Sequence, residues 1–232
     1  MFRSVLIAGI AAGICAGLLV SVVQMIKVTP LIAAAESYEQ LASAKADKAA
    51  QGGKTIQQAK ALNTGKPWQP ADGLERKIYS FSANILVGVG FGLLLVAGFV
   101  LSRRDVDLFK GVLWGLAGFF VFNLAPALGL PPELPGMNAA ELGARQMWWL
   151  STVLASAGGL GLIAFTRPGW AKVLGAAIII APHIFGAPHV PHGASLVPAE
   201  LAAQFVMASL MTSILFWIVL GASAGFLHRK LT

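Results

Sequence analysis

The sequence is poor in charged residues and in cysteine. Asp, Glu, Lys and Arg make up 12% of the 232 residues, against roughly 25% in soluble domains. Hydrophobic residues reach 56%, which is typical of an integral membrane protein. The one cysteine, Cys15, lies in an apolar run, and its isolation excludes an intramolecular disulfide and a multi-thiolate metal site in this chain.

Several catalytic patterns are also missing. There is no G-x-x-x-x-G-K-[ST] loop, which excludes a P-loop ATPase in this sequence. The apolar stretches contain no Asp or Glu, so no buried carboxylate relay for protons is visible. No Ser-His-Asp or Cys-His arrangement is suggested, and the loops on the predicted cytoplasmic side are too short for an enzyme. We therefore predict that the chain is not an enzyme and has no cofactor.

Five apolar stretches are long enough to cross a bilayer, because one span takes about 20 residues. A sixth stretch, Val173 to Val190, is apolar but is interrupted by prolines and histidines. We predict an all-α bundle of about six transmembrane helices, five plus one short Pro-broken span; five spans with a re-entrant sixth segment are the alternative. The five uninterrupted stretches are Ser4 to Ile26, Ile78 to Leu101, Gly111 to Leu130, Met147 to Phe165 and Leu201 to Leu227.

The formal net charge of +7 comes from basic residues that flank the apolar segments. Such residues determine topology, so nucleic acid is not a predicted partner. With the N-terminus and the C-terminus in the cytoplasm, most short basic loops fall inside. The loop 27–77 would lie outside the cytoplasm although it carries eight Lys or Arg against five Asp or Glu. We predict that this loop is helical from Leu31 to Leu62, with a break at Gly52 and Gly53.

Two internal patterns concern the packing of the predicted single transmembrane domain, residues 1–232. Residues 110–166 and 172–228 each open at a lysine, reach an Ala-Pro pair and continue through an outer loop, so we predict tandem hairpin repeats. Glycines four residues apart predict helices that approach closely in lipid. They are Gly9, Gly13 and Gly17, Gly88 with Gly92, Gly111 with Gly115, and Gly221 with Gly225.

Three of the four histidines fall within ten positions, as His183, His189 and His192. Polar groups at membrane depth are costly and usually face a pathway or a partner, and neutral imidazole is a common ligand of divalent transition metals. Nearby prolines break regular helix, which is how many transporters build ion sites. We interpret the cluster as a metal site; the alternative is a Pro-rich loop whose histidines lie at the membrane interface.

Three carboxylates on the predicted outer side are further candidate metal ligands. Glu36 and Glu39 are three residues apart and share a helix face, where they could collect cations or simply face solvent. Glu200 follows His192 by eight residues and could reach the same site. Its alternative role is to favour the N-terminus of the last helix electrostatically.

Five separated motifs are distributed over the chain: Thr29-Pro30-Leu31-Ile32, Glu36-Ser37-Tyr38-Glu39, Gly129 to Gly136, Arg145-Gln146-Met147-Trp148-Trp149 and Ala181 to Gly193. Together they resemble the CbtA family of predicted bacterial cobalt transporter subunits. The resemblance covers nearly the whole chain, and it implies a multi-span subunit of the cytoplasmic membrane for entry of Co²⁺. It also implies a partner, CbtB, a small single-span protein with its own histidines.

Two functions are therefore weighed. In the first, the chain is a permease subunit for divalent cobalt or nickel, in which outward-facing His183, His189 and His192 strip water from the ion and pass it to a Gly-lined path. In the second, the chain is a non-transporting scaffold or metal sensor that assembles with another metal protein. Only the first requires the histidines. The expected partners are the lipid bilayer, the metal ion, the small CbtB-like subunit and further copies of this chain.

Overall fold

A computed structural model describes residues 2–51, 70–190 and 195–231, and these residues form helices and connecting loops without a strand. Five helical segments are long and apolar enough to cross a membrane, and a shorter apolar helix accompanies them. The predicted all-α membrane bundle is thereby confirmed. The helices are α1 (Phe2–Lys27), α2 (Thr29–Gln51), α3 (Leu74–Ser102), α4 (Leu108–Phe119), α5 (Ala125–Ala127), α6 (Leu142–Phe165), α7 (Gly169–Phe185) and α8 (Ala199–Leu231).

The helices form two packing groups. The first is a core bundle in which α1 packs against α3 and α8, and α4 packs against α8. The second is a hairpin of α6 and α7, which contact mainly each other, while α6 also touches the end of the third span, Leu108–Ala127. Neighbouring helices are antiparallel in both groups. The start of α1 and the end of α8 therefore share one end of the bundle, the terminal end, and α7 finishes at the opposite end, the histidine end.

Glycines hold the core helices at close range, as the spacing predicts. Gly13 of α1 lies against the backbone of Gly88 in α3, and Gly111 of α4 lies against the carbonyl of Gly221 in α8. A Cβ on any of these residues would overlap with the facing backbone. Such faces let helices gain dispersion contacts that lipid cannot replace. A third pair, Gly159 of α6 and Gly175 of α7, joins the hairpin in the same way.

Aromatic side chains fill the space between the core helices. Trp217 of α8 is 1% exposed, and its ring stacks on Phe122 with centroids 5.7 Å apart. Phe91 of α3 lies against the same indole at 4.9 Å. Gly118 makes room for it, since a Cβ at that position would overlap with the indole ring. The bundle therefore combines backbone contacts at the glycines with large rings beside them.

The third span contains a π-helical turn that no sequence pattern indicated. It covers Phe120–Leu124 and joins α4 to α5, so that the N–H of Ala125 donates to the carbonyl of Phe120. Pro126 follows directly, and a proline supplies no N–H to continue the α-helical ladder. Turns of this kind occur frequently at functional sites.

The sixth apolar segment differs from its predicted extent. The helix α7 passes through Pro182 without interruption and ends at Phe185, so the break follows the proline instead of coinciding with it. Gly186 takes a positive φ of 83°, and its N–H donates to the Pro182 carbonyl at 3.0 Å. A proline in the last turn disturbs few hydrogen bonds, but Pro182 has no N–H for the carbonyl of Ile178.

Within the loop 27–77, the predicted helix from Leu31 to Leu62 is helical as far as Gln51, and residues 70–73 connect to α3 through a turn. The helix α2 follows α1 almost directly and runs to Gln51, while the predicted break at Gly52 and Gly53 lies outside the described residues. Ala35 of α2 packs with Leu134, Val197 and Phe205, so α2 lies across the histidine end of the bundle. The tandem hairpin repeats and the single domain stay predictions.

Candidate metal site at the histidine end

His183 lies in the last turn of α7 and points into the protein. Its ring meets the edge of Trp148 on α6, with centroids 5.8 Å apart at 74°. The Nε2 atom is buried and has no hydrogen-bond partner among the described residues. A buried nitrogen with no partner is unfavourable, so this imidazole is available to a ligand that enters the site.

Trp148 positions this histidine. Its indole packs against Gly129, where a Cβ would overlap with the ring and would lie 3.0 Å from the Cβ of Ala187. Trp148 therefore stands between the loop after α5 and the segment after α7. Its own Nε1 is likewise buried without a hydrogen-bond partner in the described part of the chain. Two unpaired polar atoms thus meet at the mouth of the α6–α7 hairpin.

The other two predicted histidine ligands follow α7. His189 is exposed on the non-helical segment after Gly186, and His192 lies outside the described residues. Among the residues that the structure describes, no group of three or more His, Cys, Asp or Glu side chains is arranged to hold a metal. A site formed by His183, His189 and His192 therefore stays a prediction.

Glu39 and Glu200 lie at the histidine end, and both are exposed. Glu39 is next to Gly136, which also borders Leu196 and Val197. Glu39 is thereby close to the segment that connects the histidines to α8. Glu200 occupies the first turn of α8 and accepts a hydrogen bond from Gln204 at 3.4 Å. Both carboxylates are accessible to an approaching cation.

Glu36 is already engaged by a cation of the protein. Both oxygens of its carboxylate accept from Arg76 of α3, one of them at 3.1 Å. Arg76 also bonds Asp72 at 3.1 Å. This network ties α2 to α3 beside a 320 Å³ cavity. A metal ion can reach Glu36 only by displacing the guanidinium.

Polar side chains also connect α1 and α3 at the floor of that cavity. Asn84 of α3 donates to Gln24 at 2.7 Å and to Ser21 at 3.1 Å, both on α1. The Ser21 hydroxyl in turn donates to the Gly17 carbonyl at 2.7 Å. Gln24 therefore bridges two helices through a hydrogen bond, which is a common role of an amide side chain within a span.

A second cavity, of 580 Å³, adjoins the π-helical turn. Asn123 in this turn accepts a 2.7 Å hydrogen bond from Trp217 Nε1 and donates to Ser213 at 3.5 Å. At the rim, Arg145 pairs with Glu133 at 2.8 Å. Asn123 and both charged side chains already have partners, so the cavity offers an ion less than His183 does. In the sequence, the one indication of this site was Asn123, an amide in an otherwise apolar span, three residues before Pro126.

Carboxylates also cap helices at both ends of the bundle. Glu141 accepts from the N–H groups of Gly143 and Ala144 at 2.8 and 2.7 Å, and these bonds hold the pKa of Glu141 below its ordinary value. At the terminal end, Asp107 accepts from the Lys110 N–H at 2.8 Å, which lowers the pKa of Asp107. Both groups stay ionised at neutral pH and serve the helix ends.

Comparison with known proteins identifies one family. A family model described as "Probable cobalt transporter subunit (CbtA)" matches residues 2–229. The match includes every helix that contributes to the histidine end. No curated protein and no solved structure matches the chain.

Proposed function

We propose a function from one premise: the chain belongs to the CbtA family of probable cobalt transporter subunits. As a membrane subunit of a divalent-metal transporter, it takes up Co²⁺, or Ni²⁺, across the bacterial cytoplasmic membrane. The observation that carries this proposal is the inward-pointing His183, whose Nε2 is buried without a hydrogen-bond partner in the described residues.

The histidine end supplies the ligand chemistry. Neutral imidazoles of His183, His189 and His192 replace water molecules around the incoming ion, because intermediate divalent metals favour nitrogen ligands. The exposed carboxylates of Glu39 and Glu200 raise the local concentration of cations and complete the shell. Glu36 contributes only when its ion pair with Arg76 opens.

The distribution of basic residues supports the proposed orientation of the chain in the membrane. Basic residues border the helices at the terminal end, and the positive-inside rule places that end in the cytoplasm. The histidine end then faces outward, where it captures ions for uptake. The bordering residues at the terminal end are Arg3, Arg103, Arg104, Lys110, Arg167, Lys172, Arg229 and Lys230.

The family description as a subunit implies a complex. The partner we propose is a small CbtB-like single-span protein with its own histidines, seated in the lipid bilayer beside this chain. Its imidazoles would add donors to the three that this chain offers. Association between copies of this chain is compatible with the same arrangement.

Accumulation of radiolabelled Co²⁺ in cells tests the proposal. Cells expressing the chain together with the partner are compared with cells expressing the triple variant His183→Ala, His189→Ala and His192→Ala. Mutation of the groups that merely orient metal ligands typically costs 10–100-fold in affinity or activity, so we expect loss of the ligands themselves to lower uptake at least about tenfold at equal membrane abundance. The matched control is His228→Ala, which removes the remaining histidine at the terminal end.

Two outcomes would overturn the proposal. Unchanged uptake in the triple variant would show that the histidines are interface residues. Absence of uptake with the unaltered chain and its partner, at normal abundance, would favour a scaffold or a metal sensor.

A further inference from the structure

A row of buried polar side chains runs along α6 from the histidine end toward the middle of the bundle. Trp148, Thr152 and Ser156 follow one another at intervals of four residues, so they share a helix face. Thr152 and Ser156 are 0% exposed. The indole Nε1 and both hydroxyl oxygens have no hydrogen-bond partner among the described residues.

Buried hydroxyls in the core bundle behave differently. Ser21 of α1 donates to the Gly17 carbonyl at 2.7 Å, and Thr212 of α8 donates to the Ala208 carbonyl at 2.7 Å. In this way the hydroxyls of helical Ser and Thr form hydrogen bonds within their own helix and need no partner on another helix. The hydroxyls on α6, unpaired among the described residues, are therefore open to a different partner.

This row faces α7. At its outer end Trp148 contacts His183, and beyond its inner end Gly159 contacts Gly175. Thr152 and Ser156 lie between these two contacts on the same face of α6. The opposite wall contributes His183 Nε2, which is buried at the end of α7. Polar atoms from both helices thus lie along the α6–α7 seam.

The seam is closed at its inner end. A Cβ on Gly159 would lie 2.5 Å from the Gly175 carbonyl and 2.6 Å from the Ile179 side chain, so the two backbones touch there. The helix α7 packs mainly on α6, and its far face, with Trp170, is exposed. A small displacement of α7 would separate this contact without disturbing the core bundle.

We propose that the α6–α7 seam is the path of the ion after capture. Trp148, Thr152 and Ser156 form its hydrated wall, and the contact between Gly159 and Gly175 is its closed inner gate. The path takes a partly hydrated divalent cation, which exchanges water for hydroxyl oxygen on its way. This assignment rests on the proposed function and adds the route within the chain.

Cysteine accessibility tests the path in the full chain with its partner. Thr152→Cys and Ser156→Cys are made in a Cys15→Ser background, and cells are treated from outside with a membrane-impermeant cationic methanethiosulfonate. Such reagents attack the thiolate, which forms in water and not in lipid. The matched control is Leu154→Cys on the same helix, because Leu154 is 64% exposed on the lipid side.

We expect positions 152 and 156 to be labelled at least about tenfold faster than position 154, and Co²⁺ to slow the labelling. Labelling no faster than at position 154, while the background strain still accumulates Co²⁺, would overturn the path and leave the proposed function standing. Labelling that Co²⁺ does not slow would overturn the role as an ion path. Absence of Co²⁺ accumulation in the Cys15→Ser background would instead count against the proposed function.

A second variant separates a path from a structural role. Thr152→Val removes the hydroxyl at nearly constant volume. Because this hydroxyl has no hydrogen-bond partner among the described residues, the thermal stability should be unchanged or higher. Uptake of Co²⁺ should nevertheless fall several-fold at equal abundance. Unchanged uptake with unchanged stability would contradict a contact between Thr152 and the ion.

Discussion

The core bundle and the α6–α7 hairpin both pack their helices through facing glycines, but they differ in the hydrogen bonding of their buried polar side chains. In the core, Trp217 donates to Asn123 at 2.7 Å. In the hairpin, Trp148 has an equally buried Nε1 that lacks a partner within the described residues. The core is therefore organised for stability, whereas the hairpin keeps polar atoms available. This difference is the reason that we propose ion handling in the hairpin.

The largest effect is expected from Gly115→Ala in the core. A Cβ there would overlap with the carbonyl of Trp217, and Gly111, one turn away, lies equally close to the Gly221 carbonyl. The helix α8 also packs against α1, so it cannot withdraw freely from α4. Overpacking costs typically 1–3 kcal/mol, and we expect the upper part of that range. Thermal unfolding in detergent measures the loss. The matched control is Gly90→Ala, where nothing lies within 4 Å; an equal loss there would show that the close approach is not the cause.

The second effect compares the two buried tryptophans. Trp217→Phe leaves the Asn123 oxygen without its indole donor, whereas Trp148→Phe removes an N–H that has no hydrogen-bond partner among the described residues. Both changes remove the same ring volume. Leaving a buried acceptor unpaired costs about 1–3 kcal/mol, so Trp217→Phe should be the more destabilising by about that amount. Equal losses in urea or thermal unfolding would remove the contrast between core and hairpin.

A smaller loss of stability is expected from Gly159→Ala in the hairpin. The new methyl meets the Gly175 carbonyl, but α7 can shift because it packs mainly on α6. We expect a cost of about 1 kcal/mol, at the lower limit of the overpacking range. Gly158→Ala, with open space around its Cβ, serves as the control. A loss as large as that of Gly115→Ala would show that α7 is held as firmly as the core helices.

The smallest effect concerns the cap of α6 and depends on pH. The pKa of Glu141 is lowered from its ordinary 4.5 by the N–H groups of Gly143 and Ala144. Its stabilising contribution is therefore present above that ordinary value and is lost as the pH falls through the lowered pKa. Thermal melts of the unaltered chain and of Glu141→Gln should differ at neutral pH and converge in acid. A difference that persists in strong acid, where the carboxyl of Glu141 is protonated in both the folded and the unfolded protein, would contradict this ionic cap.

Much of the fold was predictable because apolar length and glycine spacing act locally. An uncharged stretch must form a span, and glycines four apart must share a face, so the approach of Gly13 to Gly88 was confirmed. The π-helical turn at Phe120–Leu124 was not foreseen, since every residue around Asn123 is apolar and no periodicity marks an inserted residue. Pro126 was the available hint.

The candidate site was only partly predictable for a different reason. Histidines attract notice in an apolar sequence, and His183 indeed has a buried Nε2. Thr152 and Ser156 did not attract notice, because Ser and Thr are common in spans and their hydroxyls normally donate to a carbonyl of their own helix. Likewise, the pairing of Glu36 with Arg76 joins residues 40 positions apart, and no local spacing encodes it.

The most direct test of histidine capture is X-ray absorption at the cobalt edge for purified protein loaded with Co²⁺. We predict imidazole nitrogen scattering in the unaltered chain, and its loss when His183, His189 and His192 are replaced by Ala. An all-oxygen shell that is identical in both proteins would contradict capture of the ion by the histidine end.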